Sequence, residues 1–453
     1  MARLFYCKIG FMQASQTSFG TSLGLRRWTL LILLLLILSE GCNSPAPDPD
    51  QNILLTPDTN HPTATPFMPK DGSYDSPYDA PYVYSTPMPT QLPSVVAPGT
   101  LTVEGNLLPT PFPSGYQGAP IFVPSTNTNP LTGLTAANPE LLNRRPIAVK
   151  ITQFPRSVRP QSGLTLADVV YEYYIEDGLT RFIAIFYGND AEMAGPVRSG
   201  RFFDEHIARM YQAFFVFKYA DARVYDFYKE SDLKDFLVVP GNGSCPPFVI
   251  GKKGRDTYNN IFFNTAKFND CLAKRKDIEN TRPSVSGGFF STLPPKSDQV
   301  ANRIFTQYSL DDYNYWEYLP DKNRYQRYQE VVSQRKGNDA SYAPLTDALT
   351  NLPVEADNVV VLFVQHRFAN QFEEEDEVYH VDLYGSGDAY VFRDGVVVEA
   401  VWHRNYLDQP ITLISVQGAP MYLKPGVTFY QVIGASSESW QEGTDWHFIW
   451  YAP

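Results

Sequence analysis

Glu172, Glu176, Arg181, Arg198, Ser199 and Arg201 are the residues of this chain whose types and spacing point most directly to chemistry. Two carboxylates flanking a sugar linkage can serve as acid and base on a glycosidic bond. Arginines beside the amides of a helix start can instead hold a carboxylate or a phosphate. A third reading gives the same residues a structural task, with Arg198 or Arg201 pairing internally with Glu172 or Glu176 to lock a hairpin to a helix.

The elements that must position them are legible. Val170 to Glu176 and Thr180 to Gly188 are strand-like runs joined at Asp177-Gly178, a dipeptide that favours a type I′ hairpin turn. A two-residue loop pairs Glu176 with Leu179, Tyr174 with Arg181 and Glu172 with Ile183. Alternation then puts Glu172, Tyr174, Glu176, Leu179, Arg181 and Ile183 on one face. Neighbouring same-face positions lie about 7 Å apart, so Glu172 and Glu176, two such steps apart, work together only if their side chains converge. Gly195-Pro196-Val197-Arg198-Ser199-Gly200-Arg201 precedes an amphipathic stretch, Phe202 to Tyr211, that reads as a helix.

Around this centre, Arg145 to Ile151 reads as a buried strand and Leu164 to Val169 as a helix. Gly241 to Pro295 reads as long loops with a short helix near Thr265 to Lys274, and its Lys252, Lys253 and Arg255 as a solvated basic cluster. Tyr313 to Leu319 and Arg324 to Glu330 form a second hairpin pattern. Strands follow at Val359 to Gln365, Glu377 to Tyr384, Ala389 to Arg393, Val396 to His403, Ile411 to Val416 and Thr428 to Ile433, with turn signals at Asp394-Gly395 and Lys424-Pro425-Gly426. The fold class expected is α+β: a mixed α/β domain over 126–300 containing the hairpin sheet, then a smaller, mainly antiparallel β domain over 301–453 that contributes apolar faces.

The N-terminal 125 residues are of another kind. An apolar run from Trp28 to Leu38 follows Arg26-Arg27 and ends at Ser39-Glu40-Gly41-Cys42, which reads as a signal peptide over 1–41, too short to span a bilayer. Gly41-Cys42 resembles a bacterial lipobox, in which the cysteine is lipidated, although Glu40 stands where that pattern has a small neutral residue. Residues 43–125 hold 18 of the 37 prolines and Lys70 as their one basic residue, the composition of a disordered tether. Of the remaining cysteines, Cys245 and Cys271 can form a disulfide in an oxidising compartment. The chain carries a net charge of -12, which argues against nucleic acid as a partner.

The ordered motifs Arg145-Pro146-Ile147-Ala148-Val149, Arg159-Pro160-Gln161-Ser162-Gly163-Leu164, Ala167-Asp168-Val169-Val170-Tyr171-Glu172, Gly178-Leu179-Thr180-Arg181-Phe182 and Gly195-Pro196-Val197-Arg198-Ser199 resemble the YerB-like family of bacterial lipoproteins. Asn129-Pro130-Leu131-Thr132-Gly133-Leu134 and, further on, Gly385 to Phe392, Trp402 and Leu423-Lys424-Pro425-Gly426 extend the likeness over roughly residues 129 to 434. The resemblance implies two associated domains on an exported lipoprotein. It implies no chemistry, because the family is built on a domain of unknown function. After the helix the family usually shows a His and a glycine-rich turn, where this chain has Phe217-Lys218-Tyr219-Ala220-Asp221-Ala222.

No Gly-x-Ser-x-Gly, His-Glu-x-x-His, P-loop or Cys-x-x-Cys pattern occurs. His206, His366, His380, His403 and His447 are scattered, so neither metal nor cofactor is expected. The acidic run Glu373 to Glu377 reads as an exposed loop. The leading expectation is a non-catalytic, membrane-anchored extracytoplasmic protein that binds a cell-wall glycan, a peptide or an envelope protein. The alternative is a cell-wall-acting hydrolase or transferase using the Glu/Arg cleft. High Tyr and Phe content fits either β-rich cores or a stacking platform for sugars.

Overall fold

The computed structural model describes residues 126–241, 247–251, 257–274, 278–285, 288–370, 377–416 and 418–453. It also describes the backbone of a short antiparallel pair, Thr102–Val103 with Asn106–Leu107, inside the stretch expected to be tether. The leader, Cys42, Cys245, the Lys252–Lys253–Arg255 cluster and residues 373–376 lie outside the described residues.

The described chain is mostly sheet. The β-branched run Ile147–Thr152 forms β1, buried at all six positions. Val169–Glu176 (β2) and Leu179–Phe186 (β3) form the hairpin, and Phe214–Val216 (β4) and Leu237–Val238 (β5) follow. Arg303–Gln307 (β6), Tyr313–Leu319 (β7), Arg324–Glu330 (β8) and Tyr342–Pro344 (β9) come next. Asn358–Val364 (β10), Gly385–Arg393 (β11), Val396–Arg404 (β12), Thr412–Ser415 (β13) and Thr428–Gly434 (β14) precede a closing hairpin of Glu438–Glu442 (β15) and Asp445–Ile449 (β16). The α-helices are Asp204–Met210 (α1), Ala222–Glu230 (α2) and Thr265–Leu272 (α3). The helix expected over Leu164 to Val169 is a single 3-10 turn, Leu164–Leu166, because the buried β-branched run beginning at Val169 already belongs to the sheet.

The strands do not segregate at residue 300. One ten-stranded sheet runs β13-β12-β11-β10-β14-β2-β3-β1-β4-β5, with β14 pairing in parallel with both β10 and β2. Near-continuous apolar runs such as Asn-Val-Val-Val-Leu-Phe-Val in β10 suit this position, covered on both faces. A second sheet, β9-β8-β7-β6-β16-β15, packs across it.

The hairpin turn forms as its sequence dictates, with Asp177 at φ 56° and Gly178 at φ 73°. Glu176 pairs with Leu179, as expected. A bulge between Tyr174 and Glu176 then moves the register, so that Tyr174 pairs with Thr180, Tyr173 with Arg181 and Glu172 with Phe182. One extra residue on β2 sends every side chain beyond it to the opposite face. The expected single face is therefore split. Glu176 and Arg181 lie on one side, and Glu172 lies on the other with Thr180.

On that second side a polar seam joins the two sheets. Glu172 is fully buried and receives both Nη1 and Nη2 of Arg327, from β8, at 2.7 and 2.8 Å. Gln153 Nε2 and Gln431 Nε2 donate to the same carboxylate, and Thr180 Oγ1 lies 3.1 Å from it. Phe182 and Phe429 face the Arg327 guanidinium at 5.2 and 5.1 Å. The C-terminal strands thus contribute a charged group to the seam, where only apolar faces were expected. Asp312 accepts from the Thr180 amide and hydroxyl, each at 2.7 Å, and Glu330 accepts from Arg159 at 2.7 Å.

Burial raises the Asp312 carboxyl to about 8, and the nearby Glu330 and Glu172 push it the same way. A carboxyl raised on folding contributes stability that is complete below its unfolded value and is lost as pH rises through its folded one. Relative to Asp312→Asn, the wild type should lose stability between about pH 4 and pH 8 and level off above, in urea unfolding followed across that range. A flat difference between the two proteins would show that Asp312 is ionised throughout.

Candidate functional site

The face carrying Glu176 and Arg181 gathers most of the residues singled out above. The loop before α1 lies between β1 and the segment after β4. The Arg198 amide donates to the Lys150 carbonyl at 3.0 Å, the Lys218 amide to the Arg198 carbonyl at 2.9 Å, and the Gly200 amide to the Tyr219 carbonyl at 2.9 Å. A Cβ at Gly200 would sit 3.2 Å from both Phe217 and Tyr228, so a larger residue there needs those rings to give by a few tenths of an ångström.

Within this frame Glu176 is gripped by Arg201, whose Nε lies 2.7 Å from Oε2 and whose Nη2 bonds Oε1. Arg181 stands 3.6 Å from the same carboxylate and donates through Nη1 to the Ser199 carbonyl at 3.0 Å. Ser199 therefore enters this contact through its main chain. Arg198 lies over the ring of Tyr258 at 4.5 Å, and Lys218 over Tyr258 and Tyr219 at 4.9 and 5.2 Å. Tyr219 and Tyr258 are 61 % and 52 % exposed, with ring centroids 6.4 Å apart. Tyr219 has φ 62°, a left-handed conformation uncommon for a bulky residue and concentrated at ligand sites.

The internal pairing reading and the binding reading each hold in part. Arg201 does pair with Glu176, locking the hairpin to the loop before α1. The amides at the helix start are less available than expected, because the Arg201 N–H donates to Asp204 Oδ2 at 2.8 Å and α1 is only seven residues long. The acid and base pair is not assembled. The bulge places Glu172 in the seam against Arg327, across the sheet from Glu176.

Sequence reasoning missed the floor of the site. Lys150 and Asp204 are fully buried and 2.9 Å apart, and the Tyr173 hydroxyl donates to the same Asp204 oxygen at 2.6 Å while also bonding Lys150. Burial lowers the Lys150 ammonium to about 7; Asp204 opposes this, and Arg181 and Arg201 add to it. Burial likewise lowers Arg181 to about 9, Arg201 reinforcing the shift, Glu176 opposing it and Arg198 reinforcing it again. Arg181 and Arg201 contact the Glu176 carboxylate, Arg198 and Lys218 lie over the neighbouring tyrosine rings, Asp204 is engaged by Lys150 and Asp221 by Arg223. Elsewhere, Cys271 is disulfide-bonded, and its expected partner Cys245 lies outside the described residues.

Residues 131–279 match the family described as "Protein of unknown function (DUF3048) N-terminal domain", and residues 304–430 match its C-terminal domain. The chain belongs to this YerB-like family. It is 28 % identical over 282 residues to "Putative lipoprotein YerB" of Bacillus subtilis, an alignment covering 60 % of this chain and 77 % of that protein. The crystal structure of the Bacillus subtilis YerB protein superposes with a TM-score of 0.53 at 22 % identity, covering 68 % of this chain and 96 % of the other, which establishes a shared fold.

Removing the Glu176 charge leaves Arg181 and Arg201 facing one another. Glu176→Gln should lower unfolding free energy by about 1.5–3 kcal/mol in low salt, the range for hydrogen bonds to charged groups. Much of the loss should return at roughly 1 M salt, where screening is short-ranged. Paired urea titrations at the two salt levels measure it, and a salt-independent loss would assign Glu176 a packing role only.

Proposed function

We propose that this YerB-like protein is a membrane-anchored extracytoplasmic lipoprotein that binds an anionic group on a cell-envelope polymer through the Arg198–Arg201 loop and the neighbouring tyrosines. The observation that carries the reading is the placing of Arg198 and Lys218 against two half-exposed rings, Tyr258 and Tyr219. A carboxylate or phosphate matches the guanidinium groups in charge and geometry. A sugar or polyol backbone has apolar C–H faces that rest on Tyr219 and Tyr258. The relative named as a lipoprotein supports the location, as do the arginine-led apolar leader and Cys42. The proline-rich tether gives the globular part reach from the membrane surface.

The proposed role is binding without conversion, since the two glutamates face opposite sides of their strand and Glu172 is neutralised inside the protein. Full-length protein in detergent, incubated with carboxylate-bearing muropeptide digests, should retain ligand while product masses stay unchanged. Tyr219→Ala and Tyr258→Ala should each weaken retention by about twofold to tenfold, in line with 0.5–1.5 kcal/mol for an aromatic contact. Altered product masses would replace the binder with an enzyme. Retention that survives both tyrosine variants and Lys218→Ala together would move the ligand away from this loop.

A further inference from the structure

The second sheet ends on an open edge. Among the described residues β15 pairs with β16 on one side and with no strand on the other, so alternate amides and carbonyls of Glu438–Glu442 face outward. At its centre stands Trp440. Its indole stacks on His447 at 4.8 Å and 6°, which covers one face, and the residue is 42 % exposed. His447 stacks in turn on Phe305 at 4.8 Å and 5°. Directly paired residues on β15, β16 and β6 thus repeat a ring at the spacing of strands, about 4.7–4.9 Å, and the series stops at Trp440 for want of a further strand.

Alternation puts Glu438 and Glu442 on the same face of β15 as Trp440, one on each side, and both are exposed. Glu442 pairs in register with Asp445, whose carboxylate is bonded to Arg303, and the Tyr451 hydroxyl donates to Glu438 at 3.4 Å. Among the described residues neither glutamate has a cationic partner. Charges on an edge strand discourage pairing with other chains, and charges of one sign do so selectively. In a second copy added antiparallel across Trp440, each Glu438 would lie opposite a Glu442, and like charges directly opposite destabilise a sheet. A strand with Lys or Arg at those positions gains two opposite-charge pairs instead. Opposite Trp440, a planar side chain would rest on the free indole face.

We propose that the β15 edge is a docking site for an extended segment of another protein, with the side-chain pattern basic, any, aromatic, any, basic, which adds itself to the sheet as a further strand. Main-chain hydrogen bonds supply the affinity, and side chains at alternate positions supply the selection. The site shares no residue with the cationic loop, so either can fail without the other.

The test uses full-length protein in detergent at low salt and an end-blocked, fluorescein-labelled peptide, Ser-Lys-Thr-Tyr-Thr-Lys-Ser, followed by anisotropy. This peptide should bind saturably, while one with both Lys moved to one end, and one with Glu for each Lys, should bind about fivefold more weakly or not at all. Only every other amide of an added strand faces the edge, so of two peptides N-methylated on alternate amides one should lose about tenfold in affinity and the other should keep it. Trp440→Ala should weaken binding about threefold to tenfold, with circular dichroism unchanged. Glu438→Lys combined with Glu442→Lys should reverse the preference toward the Glu peptide. Absence of saturable binding, equal affinity for the rearranged peptide, equal effects of the two N-methylation patterns, or unchanged affinity in Trp440→Ala would overturn the site. So would dimerisation in sedimentation that Trp440→Ala abolishes, which would give the edge to a second copy.

Discussion

The buried Glu172–Arg327 pair is the constraint on which the rest of the structure depends. Both side chains are fully shielded from water, so each charge requires the other, and loss of either would leave an uncompensated ion at about 3–5 kcal/mol. An apolar pair of similar volume could bind the two sheets as well or better. What charge adds is discrimination between registers. Without the bulge, Glu172 would turn toward Lys150, Arg181 and Arg201, and a tyrosine would face Arg327. The seam rejects that arrangement, since Arg327 would then be buried without its carboxylate. The bulge, the docking of β8 on β2 and the sidedness of the hairpin are therefore one choice made once.

Much of the local structure was legible because turn chemistry is local. Asp177-Gly178 and Asp394-Gly395 sit at positive φ in tight turns between long paired strands, as their types require. The bulge was not legible, because the residue between Tyr174 and Glu176 is Ile175, a β-branched residue that carries no glycine signature. That one residue decided which glutamate shared a face with the arginines. Lys150 did leave a trace, as a charge in the middle of a run otherwise fit for a core. So did Arg327, which alternates with Tyr325 and Gln329 on the inward side of β8. Their partners come from distant sequence, Asp204 and Glu172, and no local pattern announces such a pairing.

Sidedness also explains how one hairpin can border two surfaces of different charge. Glu176 belongs to the cationic loop, while the next residue, Asp177, and Tyr174 border an acidic cleft. The arrangement requires the two faces to stay insulated. Burial of Tyr173, Phe182 and Ile183 between them supplies that insulation.

The abundance of tyrosine and phenylalanine has a structural cause that narrows where a ligand can stack. Across the second sheet, Trp440, His447, Phe305, Tyr315 and Tyr328 occupy directly paired positions on successive strands. Trp440 stacks on His447 at 4.8 Å, His447 on Phe305 at 4.8 Å and Tyr315 on Tyr328 at 4.6 Å, all within 6° of parallel. These separations match the strand spacing of about 4.7–4.9 Å, so the rings stand on edge and cover one another's faces. Such a ladder stiffens a sheet and covers its inner rings, while Trp440 at the sheet edge stays 42 % exposed. Tyr219 and Tyr258 contact one another at a longer 6.4 Å and remain more than half exposed, so open ring surface lies beside the cationic loop, where a flat ligand of the kind proposed would meet both ring and charge.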